Sequence, residues 1–317
     1  MKIIRWKFPD AQLTLLPERG RVLQVTVDGQ EAFWTNPNWS GDWNAGGDRL
    51  WVAPETAWFW QTRGPVDWSR YAIPATVDPG RWKLVDHAKH CCRVTQRARL
   101  RHQTQRAEVD VELSRCFSVV ELPVAPFFQS WVAYRTDNEL RIRGGTRGQR
   151  VGLWSLLQLP AGGRLEFSCW ATPTFRVYTG DVPRHYWSHT DRQLTCSITG
   201  KHAFKFGLAP ELVTGRMAYA RPVRGGWLVI YREFHPQPWR EYCDRPLTAS
   251  GDRGDAVQVY NDGGEFGGFG EMEFHSPALE VGRGNDWLQD SCFTVVGFVA
   301  ARQWGRWSEC WLRSGEE

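Results

Sequence analysis

Several signatures are missing from this sequence, and each absence removes a class of protein. No span approaches the roughly 20 apolar residues of a membrane-crossing helix. The opening MKIIRWKF has no apolar core of the length a signal peptide needs. Without a secretion signal, the eight cysteines read as reduced thiols in a cytoplasmic protein. No CxxC occurs, and adjacent Cys91 and Cys92 cannot easily serve one zinc site beside His87 and His90. His185 and His189 would share a face only on a helix, and HYWSH reads as strand or loop, so no metal site is expected. There is no Gly-x-Ser-x-Gly elbow for a serine hydrolase. The glycine-rich stretch 263–270 lacks Gly-Lys-Ser/Thr and a following helix, so it is not a phosphate cradle. No other cofactor signature appears. Lys and Arg exceed Asp and Glu by only 39 − 35 = 4. The densest basic run, RARLRHQTQR at 97–106, alternates like a solvated strand face, so no nucleic-acid partner is expected.

No segment shows an amphipathic helix of 12 or more residues; strand-like alternation dominates instead. In residues 106–118, Ala107, Val109, Val111, Leu113 and Phe117 fall on one face, while Glu108, Asp110, Glu112 and Ser114 fall on the other. Similar runs occur at 13–16, 21–27, 82–86, 130–136, 151–159, 164–169, 174–178, 194–199, 203–206, 227–234, 257–260, 270–275 and 292–300. Turn signals such as Pro17-Glu18-Arg19-Gly20 and Asp28-Gly29 separate them. So many strands with short loops imply an all-β chain, a large antiparallel sandwich or barrel. With no fixed-period repeat and no low-complexity linker, residues 1–317 read as one continuous domain.

Residues 34–68 carry seven of the 19 tryptophans. Pro37, Pro54, Pro65, Gly41, Gly46, Gly47 and Gly64 break any helical pattern there. Flat indoles beside Asp, Arg and Glu suit a sugar, whose C–H faces stack on rings while its hydroxyls take hydrogen bonds. The same density also suits aromatic packing under long loops.

Three segments together resemble the galactose mutarotase-like (aldose 1-epimerase-like) β-supersandwich proteins. LTLLPERGRVLQVTVDGQEAFW, residues 13–34, looks like their opening strands. GGDRLWVAPE, residues 46–55, is similar to the segment that places a sugar-binding arginine, and more closely to uncharacterised relatives with this type of run. DAVQVYNDGGEFGGFGEMEFHSPALEVGRG, residues 255–284, is similar to the late region that carries a binding Asp and the catalytic Glu. The resemblance implies a supersandwich with a mono- or oligosaccharide on a concave sheet. It implies Glu273 as general base and a ligand bound by Arg49 and Asp255. From their positions and chemistry, Glu271 is a further candidate catalytic residue, and Asp48, Trp51, Gln158, Tyr260 and Asn261 are further candidate binding residues.

One departure stands out. The family's catalytic histidine belongs to a mid-chain segment that corresponds to 153–163, LWSLLQLPAGG, which has none. Trp154, Ser155 and Gln158 can hold a hydroxyl but cannot readily protonate a ring oxygen. His185, His189 and His235 are substitutes within reach of loops. Three functions therefore stay open: a sugar isomerase, a sugar-binding module without catalysis, and a carboxylate-dependent glycosidase or lyase. On a strand, Glu271 and Glu273 share a face, with Met272 and Phe274 on the other. Two carboxylates in one cleft push their pKa values apart. Trp51 and Trp43 are the expected sugar platforms; Trp34, Trp58 and Trp60 are expected in the core.

Overall fold

The computed structural model describes residues 2–61, 68–121, 127–246 and 253–313. Gly64 and Pro65 lie outside the described residues, as does the side chain of Trp68. Among the described residues, two antiparallel sheets of eleven and ten strands face one another, and the sequence-based expectation of a large all-β sandwich holds. The centre of the larger sheet runs Asp48–Ala53, Arg150–Pro160, Phe269–His275, Val257–Asn261, Phe204–Leu208. The smaller sheet is built on long hairpins, including Glu108–Val119, Phe128–Gly145 and Trp287–Ala300. One continuous apolar core fills the space between the sheets.

Local chemistry explains the turns. Asp28 and Gly29 both have positive φ (49° and 72°), the backbone of a tight hairpin whose twist suits the flanking strands. Gly46 and Gly47 also have positive φ (93° and 78°). A Cβ on Gly47 would stand 2.3 Å from the Val22 carbonyl oxygen, so this crossing closes only with glycine.

Some elements were not apparent from sequence. Asp48–Ala53 is buried at every position and so lacks alternation. Val213–Val223 is interrupted by Gly215 and Pro222. The tryptophan-rich stretch is not wholly free of helix: Glu55–Trp58 forms one turn, started by Pro54 at the N-cap, where a missing N–H is harmless. A ten-residue helix, Trp304–Arg313, sets Trp307 against the outer face of the smaller sheet, beside Phe128, Ala218 and Val299.

The alternation in Glu108–Val119 hides one exception. The inward position between Leu113 and Phe117 is Arg115, which is fully buried. Its Nη2 pairs with Asp48 at 2.9 Å, and its Nε donates to Asn138 at 2.9 Å. Arg232, also fully buried, reaches the other Asp48 oxygen at 3.3 Å and donates to Ser155 at 3.2 Å. Asp48 and Ser155 belong to the larger sheet, Arg115 and Arg232 to the smaller. The two sheets are therefore joined by an ionic clamp inside the core. Removing one partner of such a pair leaves an uncompensated buried charge, which costs about 3–5 kcal/mol. Asp48→Ala is expected to lower unfolding stability by about that amount in guanidinium titrations. A loss under about 1 kcal/mol would show that the clamp does not hold the sheets.

Candidate functional site

The strand pleat sorts the larger sheet into two faces. Leu50, Val52, Leu153, Leu157, Met272, Phe274, Val257 and Val259 point into the sandwich core. The alternate positions point to the other, concave side. Cross-strand register lines them up: Arg49 opposite Leu156, Leu156 opposite Glu273, Gln158 opposite Glu271, Glu271 opposite Tyr260, and Tyr260 opposite Lys205. As expected, Glu271 and Glu273 share this face, and Met272 and Phe274 take the other.

Here the structure forms a cleft with about 420 Å³ of empty space, its open mouth included. Trp43, Trp51, Tyr71, Trp154, Tyr260, Phe266 and Phe269 wall it with rings. Arg49, Glu271, Glu55 and Lys205 supply its charges. Arg49 Nη2 lies 2.6 Å from Glu271 Oε1. Lys205 Nζ lies 2.9 Å from Glu55 Oε2 and 3.4 Å from Glu273 Oε2, and sits 4.3 Å from the Trp154 ring centroid. Tyr71 donates its hydroxyl proton to Glu55 at 3.0 Å, and the Trp154 indole N–H donates to Glu273 at 2.7 Å. Asp244 accepts from the Glu55 backbone N–H and from Gln258. Thus Tyr71, Glu55, Lys205, Glu273 and Trp154 form one connected polar chain along the cleft floor.

The expected site residues separate into two groups. Arg49, Glu271, Tyr260 and Trp51 line the cleft. Gln158 sits beside it on the same face, opposite Glu271 in the cross-strand register and hydrogen-bonded to Asn44. Glu273 is fully buried, just behind Lys205 and Trp154. Asp48 does not join them: its side chain points the opposite way from Arg49 and is committed to the inter-sheet clamp. Asn261 also lies on the core-facing side of its strand, accepting from the Thr199 and Gly200 backbone N–H groups. Asp255 is outside the cleft lining, its carboxylate taken by Arg176 and Tyr178.

The aromatic expectations are corrected in part. Trp51 is not an open sugar platform. The Arg49 guanidinium covers its ring at 4.0 Å, Phe59 stacks on it at 5.0 Å, and its N–H is bound by Asp78. Trp43 is half-buried at the wall, with the Arg49 guanidinium 5.3 Å from its ring centroid and Phe266 edge-on at 5.7 Å. Trp58 and Trp60 are buried as expected. Trp34 is half-buried and packs on Phe269, bracing the glycine-rich loop from behind. That loop is a hairpin end, ordered by Asp262 accepting from the Phe266 and Gly268 N–H groups, and it delivers Phe266 to the cleft. His185, His189 and His235 are exposed and line no part of the cleft.

Glu55, Tyr71, Lys205 and Asp244 were not anticipated. Lys205 lies between Phe204 and Phe206, a pattern identical to that of any strand with a solvated face. Only the sheet order reveals that its outward face is a cleft. His275 was also missed. It is buried, stacks on Trp154 at 5.5 Å, and has neither ring nitrogen bonded among the described residues.

Burial sets the protonation of this cluster. It pushes the Glu273 carboxyl up to about 8; Lys205 opposes the shift, while Glu271 and Glu55 add to it. Burial, with Glu55 next, pushes Asp244 up to about 7. Burial also raises Glu271, against the pull of Arg49 and Lys205. For Lys205, burial favours the neutral amine, but the surrounding acids, with Glu55 nearest at 2.9 Å, outweigh it and hold the ammonium form. His275 is lowered well below its ordinary value by burial and then by Lys205, so it is neutral. At neutral pH an arginine-paired acid and an ammonium therefore line the cleft, with a protonated carboxyl buried behind them.

Comparison with known structures defines the class first. The fold is that of the galactose mutarotase-like proteins. A candidate aldose 1-epimerase from Escherichia coli K12 superposes with a TM-score of 0.60 at 11% identity, covering 94% of this chain and 99% of that one. A galactose mutarotase-like protein from Lactobacillus casei ATCC 334 gives 0.51 at 10% identity, over 93% and 100%. A galactose mutarotase related enzyme from Lactobacillus acidophilus gives 0.51 at 8% identity, over 95% and 98%. No curated protein matches the sequence. Residues 10–291 match the model of a family of unknown function, DUF6786, and the chain belongs to that family. Among the described residues, no helix is long and apolar enough to cross a membrane.

The raised carboxyls make stability depend on pH. Glu273 and Asp244 stay protonated in the folded protein at pH values where the unfolded chain has ionised them. Their contribution is full below the unfolded carboxylate range and is lost as pH rises through about 7 and 8. His275 acts in the opposite sense, but its change is complete once pH exceeds the unfolded value near 6.5. Between pH 6.5 and about 8 the guanidinium midpoint is therefore expected to fall, and to fall less steeply in Glu273→Gln. A flat midpoint over this window in the wild type would contradict the protonated cluster.

Proposed function

We propose that this chain binds a mono- or oligosaccharide in the concave cleft and interconverts the anomers of its aldose unit. The observation that carries the reading is one cleft in which ring walls enclose an arginine–glutamate pair and an ammonium, with a carboxyl buried directly behind them. A sugar ring offers C–H faces to Trp43 and hydroxyls to the charged floor. Arg49 is held at the cleft by Glu271, and its Nε and Nη1 are buried without partners among the described residues.

Opening a pyranose requires a base at the anomeric hydroxyl and a proton delivered to the ring oxygen. The expectation from resemblance made Glu273 the base. The geometry favours the reverse division of labour. Glu271 lines the cleft and is paired with Arg49, so it is the carboxylate placed to take the anomeric proton. Glu273, fully buried and holding its proton near neutral pH, is the store from which a proton can be given.

One observation favours a second reading, a binding module without catalysis. Glu273 has no solvent exposure, and its Oε2 is already engaged by Trp154 and Lys205. The two readings part in one experiment. Anomer interconversion is followed by NMR exchange on a panel of aldoses, with binding read from tryptophan fluorescence. Catalysis is expected in the wild type, and a loss of about 100-fold or more in kcat in Glu271→Gln. Trp43→Ala is expected to weaken binding about tenfold, about 1.4 kcal/mol. Binding without any acceleration leaves only the module; no binding of any sugar overturns both readings.

A further inference from the structure

The isomerase reading leaves the ring-oxygen acid without a side chain, because residues 153–163 hold no histidine and Glu273 does not reach the cleft. The exposed histidines lie outside it, and His275 is not part of its lining. Among the described residues, the cleft lining has two cations, Arg49 and Lys205. Arg49 cannot release its proton in a protein. Lys205 can; it lines the cleft and its Nζ lies 3.4 Å from the buried carboxyl.

We propose that Lys205 is the catalytic acid of this site, delivering to the sugar ring oxygen a proton that Glu273 then restores. The inference rests on the isomerase reading above. In ring opening, the Glu271 carboxylate removes the proton of the anomeric hydroxyl. The C1–O1 bond becomes a carbonyl as the C1–O5 bond breaks, and its electron pair stays on O5. O5 takes a proton from the Lys205 ammonium, and the resulting amine takes one from the Glu273 carboxyl 3.4 Å away. Glu271 ends protonated and Glu273 ionised. Closure on the opposite face of the carbonyl runs each transfer backwards and restores both groups. No oxidant or cofactor enters the balance.

The surroundings suit a relay rather than a fixed ion pair. Glu55, steadied by the Tyr71 hydroxyl, holds Nζ at 2.9 Å, and the Trp154 face lies beneath it at 4.3 Å. Lys205 thus keeps one partner while it exchanges a proton with another. Glu273 meets Lys205 through Oε2, which also accepts from the Trp154 N–H, while Oε1 has no partner among the described residues. Once Glu273 has passed on its proton, the Trp154 N–H and the Lys205 ammonium both stabilise the carboxylate left behind.

Lys205→Arg is the discriminating variant, because it keeps the positive charge and the contact with Glu55 but cannot pass on a proton. NMR anomer exchange is measured for the wild type, Lys205→Arg, Lys205→Met and Glu273→Gln, with sugar binding from tryptophan fluorescence and folding from circular dichroism melts. The relay predicts kcat reduced about 100-fold or more in all three variants, with KM within about threefold in Lys205→Arg. It also predicts that wild-type kcat declines above about pH 8, where Glu273 loses its proton. Glu55, Glu271, Asp244, Arg49, His275, Tyr71, Tyr178 and Tyr260 surround the pair, and Lys205→Arg alters none of them. A Lys205→Arg enzyme within threefold of wild-type kcat overturns the relay alone and leaves the lysine an electrostatic role. A wild type that binds sugar without accelerating exchange overturns the relay together with the isomerase reading. Should Lys205→Met fail to fold, Lys205→Arg and Glu273→Gln still decide.

Discussion

The register of Asp48–Ala53 against Arg150–Pro160 is the constraint on which both halves of this structure depend. Because the side-chain period of a strand is two, a slip by one residue would exchange the faces of every side chain. In the observed register Asp48 enters the core and closes the clamp with Arg115 and Arg232, while its neighbour Arg49 enters the cleft and meets Glu271. A slipped strand would leave two core arginines without a carboxylate and put Arg49 among apolar side chains. Each error costs several kcal/mol, so the clamp fixes the register and the register aims the functional side chain. Gly46 and Gly47 let the strand begin at this point, because any larger residue would collide with the Trp34 and Val22 carbonyls.

Charge inside the cleft obeys a similar economy. Four acidic groups, Glu55, Asp244, Glu271 and Glu273, share Arg49 and Lys205 as their cations. Two cations cannot hold four buried carboxylates ionised, and the surplus is met by protonation, first at Glu273 and then at Asp244. The surplus thus produces groups that exchange protons near neutral pH, which a perfectly matched set of ion pairs would not do. The polar chain from Tyr71 to Trp154 fixes the order of these groups in space, with the protonated member deepest.

Much of the architecture could be read from the sequence because alternation is a local signal. Strand runs such as 227–234 and 270–275 needed no knowledge of the rest of the chain. The pairing of Glu271 with Glu273, and of Met272 with Phe274, followed from the pleat alone. What escaped was non-local. By alternation Arg115 falls on the apolar face of 106–118, and only the opposing sheet explains how its charge is buried there. Lys205 and Glu55 are 150 residues apart in sequence and meet because the sheet order sets Phe204–Leu208 two strands from Phe269–His275. Asp48 was assigned to the cleft because its neighbour Arg49 belongs there. The pleat could have corrected this, since adjacent strand residues cannot share a face, but only once 48–53 had been read as strand rather than aromatic loop.

The tryptophan-rich stretch shows how one segment can serve both packing and recognition. Trp58, buried with its N–H on the Ala53 carbonyl, anchors the helical turn that presents Glu55. Trp51 is fixed by Asp78 and Phe59 and in turn fixes the plane of Arg49. Trp34 braces the far hairpin through Phe269. Three of these indoles therefore serve to position other side chains, and Trp43 is left at the cleft wall. A guanidinium packed on an indole has little freedom left, so the aromatic density holds Arg49 in place at the cleft. The same logic applies to Lys205 over Trp154, whose ring helps to hold the ammonium beside its acidic partners.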